Sequence, residues 1–91
     1  MALMSQRAIK TELKNLKGWR LIGIKIQKEF KHTSFIEAMG FVTSVALLAE
    51  RANHHPEIDI RWNMVTIALS THSDGGVTEK DLTLAREIEK L

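Results

Sequence analysis

The chain has 91 residues, 44% hydrophobic and 26% charged, with a net charge of +2 and no cysteine. That length makes one domain, spanning 1–91, with one modest core: scaling gives a folded surface of about 5,400 Å² against about 15,000 Å² for the open chain. The absence of cysteine excludes a disulfide framework, a thiol nucleophile and any cysteine-held metal, and the ordinary hydrophobic content disfavours disorder.

A chain without cysteine fits a reducing compartment, and a cytoplasmic location is expected. No apolar run approaches the roughly 18–20 residues that span a bilayer. The stretch from Met1 to Lys17 alternates charge with leucine and lacks a signal-peptide core. The isoelectric point near 9.2 invites an acidic partner. The basic residues are dispersed, however, and Glu29 interrupts the densest stretch, Lys25 to Lys31. Direct nucleic-acid binding is therefore disfavoured.

From Ser5 to Leu16 the residues Ala8, Ile9, Leu13 and Leu16 recur at three to four, which predicts a short helix stopped by Gly18. Trp19 to Phe30 alternates apolar and polar positions and predicts two strands turning near Gly23. Lys28 breaks the apolar face there, as edge strands often do. Ser34 followed by Glu37 resembles a capping box. The helix it opens runs to Arg51 or Ala52, with a stripe of Phe35, Met39, Val42, Ala46 and Ala49 that Ile36, Val45, Leu47 and Leu48 widen past the usual face. Its polar side is thin, so part of it is expected to pack against another subunit. Asn53-His54-His55-Pro56 leaves the helix, because proline biases the preceding residue away from helical angles.

Ile58 to Trp62 and Val65 to Thr71 alternate again and predict two more strands, with Asn63 at the turn. Ser73 to Gly76 is a flexible loop. Thr78 with Asp81 forms a capping box, Val77 and Leu82 bracket it, and Leu84, Ile88 and Leu91 continue the buried stripe. The order α-β-β-α-β-β-α predicts an α+β fold: a four-stranded antiparallel sheet covered on one face by three helices.

His54, His55 and His72 fall on loops or strand ends, where a rigid scaffold presents functional groups. Imidazole titrates near neutrality and can give or take a proton. The plain alternative is a solvated histidine pair at a helix end. A metal site built from the three histidines with Glu50 or Asp81 is a third reading, but no helical two-histidine metal spacing occurs. A carboxylate held near an imidazole would orient it, and Glu50 stands four residues before His54. Asp81 is explained by capping alone. Trp19 reads first as core and second as the wall of a planar-ligand pocket. His32, beside Lys31, reads as surface.

The run Glu50-Arg51-Ala52-Asn53-His54-His55-Pro56-Glu57 resembles the signature of the pterin-4a-carbinolamine dehydratases. So do Leu69-Ser70-Thr71-His72 and Gly75-Gly76-Val77-Thr78-Glu79-Lys80-Asp81-Leu82. Gly18-Trp19 and Glu37-Ala38-Met39-Gly40-Phe41 also fit, so the resemblance covers nearly the whole chain. It implies a lyase that dehydrates a 4a-hydroxytetrahydropterin to the quinonoid dihydropterin in tetrahydrobiopterin recycling. It implies histidine acid–base chemistry with no metal and no cofactor, and a homodimer or homotetramer. His54, His55 and His72 would surround the pterin. Glu50, Asp81, Trp19, Pro56 and Thr71 would bind or support, with Asp81 fixing His72 or the pocket wall. Where animal members often carry an aromatic after the Pro-Glu pair, this chain has Ile58. The alternative function is a non-catalytic interaction module, such as the dimerization cofactor of a transcription factor known among animal members.

Overall fold

The computed structural model describes residues 2–91. Its elements are α1 (Gln6–Leu13), β1 (Arg20–Ile22), β2 (Lys25–Lys31), α2 (Phe35–Ala52), β3 (Glu57–Arg61), β4 (Met64–Leu69) and α3 (Glu79–Glu89). The strands form one antiparallel sheet in the order β1-β2-β4-β3. This is the order and architecture expected from the sequence.

Helix α1 begins where Ser5 accepts the Ala8 amide at 3.1 Å. It is shorter than its periodicity suggested. After Leu13 the chain tightens into i→i−3 bonds, Asn15 to Glu12 and Leu16 to Leu13, which carry Leu16 into the core.

In the sheet, Ile26 lies opposite Leu69, Phe30 opposite Val65, and Ile58 opposite Ile67. These alternate positions face the helices, while Gln27, Glu29, Asp59 and Thr66 stand on the other face. Lys28 does not mark an edge. Strand β2 has neighbours on both sides, and Lys28 sits on its inward face. Its stem packs inward and its ammonium escapes: Nζ is 4.8 Å from the Phe30 ring centroid and donates to the Lys17 carbonyl and the Glu89 carboxylate at 2.9 Å.

Ser34 caps α2 by accepting the Glu37 amide at 3.1 Å. The Glu37 carboxylate reaches the amide of Thr33 rather than that of Ser34. Hydrogen bonds from Thr33 hold the Glu37 carboxyl below its ordinary value. The buried stripe of α2 is rotated from the one expected. Ala38, Val45 and Ala49 are buried, whereas Phe35, Met39 and Ala46 are exposed. Small alanines let α2 approach both β4 and α3, and that two-sided packing chooses the inward face. The outward face is apolar: Ile36 is 83% exposed and Leu47 67%.

His32 is half-buried rather than on the surface, with its ring 4.8 Å from that of Phe41. At the β3–β4 turn it is Trp62, not Asn63, that takes the left-handed conformation, at φ +53°. Asn63 instead anchors the turn, exchanging hydrogen bonds with the His32 backbone. Leu91 lies beyond α3 and is exposed, so the buried stripe of that helix ends at Ile88. The folded surface of 5794 Å² is close to the scaling value of about 5,400 Å². Among the described residues, no helix is long and apolar enough to cross a membrane.

Candidate active site

Three chain segments meet at one end of the sheet: the C-terminal end of α2, the segment after β4, and the start of α3. Asn53 terminates α2 in the left-handed conformation, φ 51° and ψ 44°. Asparagine tolerates that region better than most residues. The His54 amide then returns to the Ala49 carbonyl at 3.0 Å, the six-residue closure of a Schellman motif. This fixes the backbone at His54 before Pro56 leads into β3.

His54 Nε2 lies 2.5 Å from Asp81 Oδ1. A carboxylate only accepts, so Nε2 carries a proton; in the neutral ring Nδ1 is then the acceptor. Asp81 is fully buried. Its Oδ2 accepts two further hydrogen bonds, from the Thr78 amide at 2.8 Å and the Thr71 hydroxyl at 2.9 Å. The capping interaction at the head of α3 and the support of His54 thus use the same carboxylate.

His55 Nε2 lies 2.5 Å from Glu50 Oε2. This second pair stands in solvent, its side chains 60% and 75% exposed. His72 opens a short 3-10 turn, His72–Asp74, and is exposed. The segment carrying it is tied down rather than loose. The Thr71 amide donates to the Gly76 carbonyl at 2.7 Å, and Gly75 closes the turn at φ +78°, a conformation that suits glycine.

The three histidines, with Asn53, Ser70, Thr71, Ser73 and Lys80, line one open cavity of about 380 Å³. Imidazoles able to give and take protons face a polar space with hydroxyl and ammonium groups around it. The arrangement suits proton transfer on a small polar molecule.

Comparison with known proteins places the chain. The profile of the family described as pterin 4 alpha carbinolamine dehydratase matches residues 2–91. The chain belongs to that family. A relative from Roseiflexus castenholzii, provisionally named a pterin-4-alpha-carbinolamine dehydratase, is 49% identical over 90 residues, covering 99% of this chain and 97% of its own. A similarly named relative from Nocardia farcinica is 48% identical over 89 residues, covering 98% and 94%. The crystal structure of a transcriptional coactivator/pterin dehydratase from Brucella melitensis superposes with a TM-score of 0.91 at 36% identity, covering 96% of this chain and 95% of that one. A pterin dehydratase-like protein described as a RuBisCO assembly factor of the alpha-carboxysome aligns with a TM-score of 0.68 at 25% identity, covering 80% and 87%.

For this dehydratase-family chain, the structure gathers most of the residues singled out in the sequence and leaves two, Pro56 and Trp19, off the cavity wall. His54, His55, His72 and Thr71 share the cavity, while Glu50 and Asp81 stand behind two of its histidines. Asp81 holds His54, not His72, because the α3 cap delivers its carboxylate to the end of α2. Pro56 does not line the cavity; it acts on the chain path. Trp19 does not border the cavity either. It is buried at the far end of α3, edge-on to Phe30, with Nε1 3.2 Å from Glu89. Glu89 lies eight positions along the helix from Asp81, a span of about 12 Å.

Ile58 packs on the core and does not line the cavity. The three-histidine metal geometry weighed above does not form: among the described residues, no three His, Asp or Glu side chains converge as a metal site would require. Asn53, Ser70, Lys80 and Thr78 were missed as site residues. Asn53 and Thr78 were visible only as helix punctuation, and nothing in the pattern around Ser70 or Lys80 aimed them inward. A second, more apolar groove of about 290 Å³ between α2 and α3 adjoins the cavity across His54 and Lys80.

Proposed function

We propose that this chain dehydrates 4a-hydroxytetrahydropterins, returning the pterin as its quinonoid dihydro form for reuse in the cytoplasm. The observation that carries the reading is the buried Asp81–His54 pair opening onto a cavity shared with His55 and His72, in a chain of this family. In the reaction the C4a–O bond breaks, C4a=N5 forms, the N5 proton leaves, and hydroxide departs as water. His54 is the base: with Nε2–H held by Asp81, the free Nδ1 takes the N5 proton. His72, exposed at the cavity mouth, is the acid that protonates the departing hydroxyl. His55, backed by Glu50, binds and orients the ring. Each positioned proton-transfer group contributes about 10²–10⁴-fold.

The test is dehydration of freshly generated 4a-hydroxytetrahydropterin without added metal or cofactor. Acceleration that survives a chelator supports the reading; a folded protein that leaves the spontaneous rate unchanged overturns it. A second reading, a non-catalytic interaction module, draws support from the Brucella coactivator and the carboxysome assembly factor, which share the fold. A folded but inactive chain would favour it.

The same proposal makes the chain a homodimer or homotetramer. Exposed Phe35, Ile36, Met39 and Leu47 give α2 an apolar outer face that water would otherwise cover. Light scattering at micromolar concentration should give a multiple of the chain mass, and a monomer overturns this.

A further inference from the structure

We infer that Thr78, acting through Thr71, is a positioning residue that sets His54 and His72 in register with one another; this rests on the dehydratase reading above. The Thr71 hydroxyl donates to Asp81 Oδ2 at 2.9 Å, which uses its single proton. Thr71 Oγ1 also lies 2.8 Å from Thr78 Oγ1, so there it must accept, and the Thr78 hydroxyl must donate. The Thr78 oxygen in turn accepts the Lys80 amide at 3.3 Å. The order is forced: Lys80 amide to Thr78, Thr78 to Thr71, Thr71 to Asp81, with Asp81 also accepting His54 Nε2–H.

Two consequences follow from this chain. Asp81 Oδ2 is occupied by the Thr71 hydroxyl and the Thr78 amide, so only Oδ1 is left for His54 and the carboxylate has one orientation. Thr71 immediately precedes His72, and its backbone bridges Gly76. The hydroxyl that fixes the support of one histidine therefore also ties down the segment that presents the other.

Helix capping does not account for this. Capping needs the Thr78–Lys80 and Asp81–Thr78 bonds, whereas the Thr71–Thr78 and Thr71–Asp81 bonds cap nothing. Thr71, Thr78 and Asp81 are all buried, so water cannot replace a lost hydroxyl without opening the site.

The experiment compares Thr71→Val, which keeps the shape and removes the hydroxyl, with Thr71→Ser, which keeps the hydroxyl. Both are read by steady-state kinetics and by nitrogen NMR of the His54 ring at a pH where it is neutral. Thr71→Val should lower kcat about 10–100-fold, the usual cost of losing an outer hydrogen-bond partner, with little change in KM. It should also turn a single Nε2–H tautomer of His54 into a mixture. Thr71→Ser should restore both. A folded Thr71→Val protein with wild-type kcat and a single tautomer overturns the inference.

Should Thr71→Val fail to fold, the wild-type protein decides. Slowly exchanging Thr71 and Thr78 hydroxyl protons beside one His54 tautomer support the relay; rapid exchange or mixed tautomers overturn it. If the wild type does not dehydrate the pterin, yet the tautomer responds as described, the dehydratase reading falls and the relay stands.

Discussion

The two imidazole–carboxylate pairs have the same heavy-atom distance, 2.5 Å, and opposite surroundings. His54 is 11% exposed and Asp81 is sealed, with two further donors on its carboxylate. Glu50 and His55 face water. In a low-dielectric pocket the first contact orients a ring and holds its tautomer. In water the second is screened by salt and entropically loose, worth about 0–1 kcal/mol. Equal distances are therefore unequal interactions: burial fixes the His54 ring and leaves the His55 pair loose.

Mutations at the two pairs test that difference. The largest expected effect is His54→Ala, which should lower kcat by about 10²-fold or more while circular dichroism stays native. Full activity in that variant would break the comparison at its root. Next is Asp81→Ala, which strands two buried donors, Thr71 Oγ1 and the Thr78 amide. A cap alone costs about 0.5–2 kcal/mol. Leaving buried donors unpaired brings the loss to about 3 kcal/mol or more, with kcat falling even where the variant is fully folded. A denaturant titration beside the kinetics reads both, and a loss in the cap range with intact kcat would reduce Asp81 to a helix start.

His55→Ala sharpens the contrast from the other side. It should raise KM more than it lowers kcat, since the ring is assigned to binding; an equal fall in kcat and kcat/KM would promote it to the chemistry. The smallest effect is Glu50→Gln, which should change stability by less than about 0.5 kcal/mol. Raising the salt concentration should erase even that, whereas the Asp81 variants should show their losses at every ionic strength.

Much of this molecule was legible before any coordinates. Period-two and period-three-to-four patterning marked every strand and α-helix in order, though not the short turn at His72–Asp74, because each strand and helix must alternate or wind its apolar residues toward a core. The punctuation was legible too: Ser34 and Thr78 cap helices because their side chains satisfy amides that the helix leaves free. The three histidines stood out as candidate site residues, and the structure brings them to one cavity.

Pairings across the chain were not legible. Lys28 looked like an edge marker because the sequence does not state that Glu89 and the Lys17 carbonyl wait above it. Trp19 was read first as core, which it is; the second reading, a pocket wall, fails because the ring packs against Phe30 and Glu89 at the far end of α3. The α2 stripe was misplaced because a helix with apolar residues on most sides does not say which side its neighbours will take. Asp81 looked like a cap, which it is; that its other oxygen holds His54 depends on α3 starting where α2 ends. Local sequence determined which backbone hydrogen bonds close within an element. Only the tertiary structure decided which side chains meet across elements, because those contacts depend on the relative placement of whole helices and strands rather than on the spacing within any one of them.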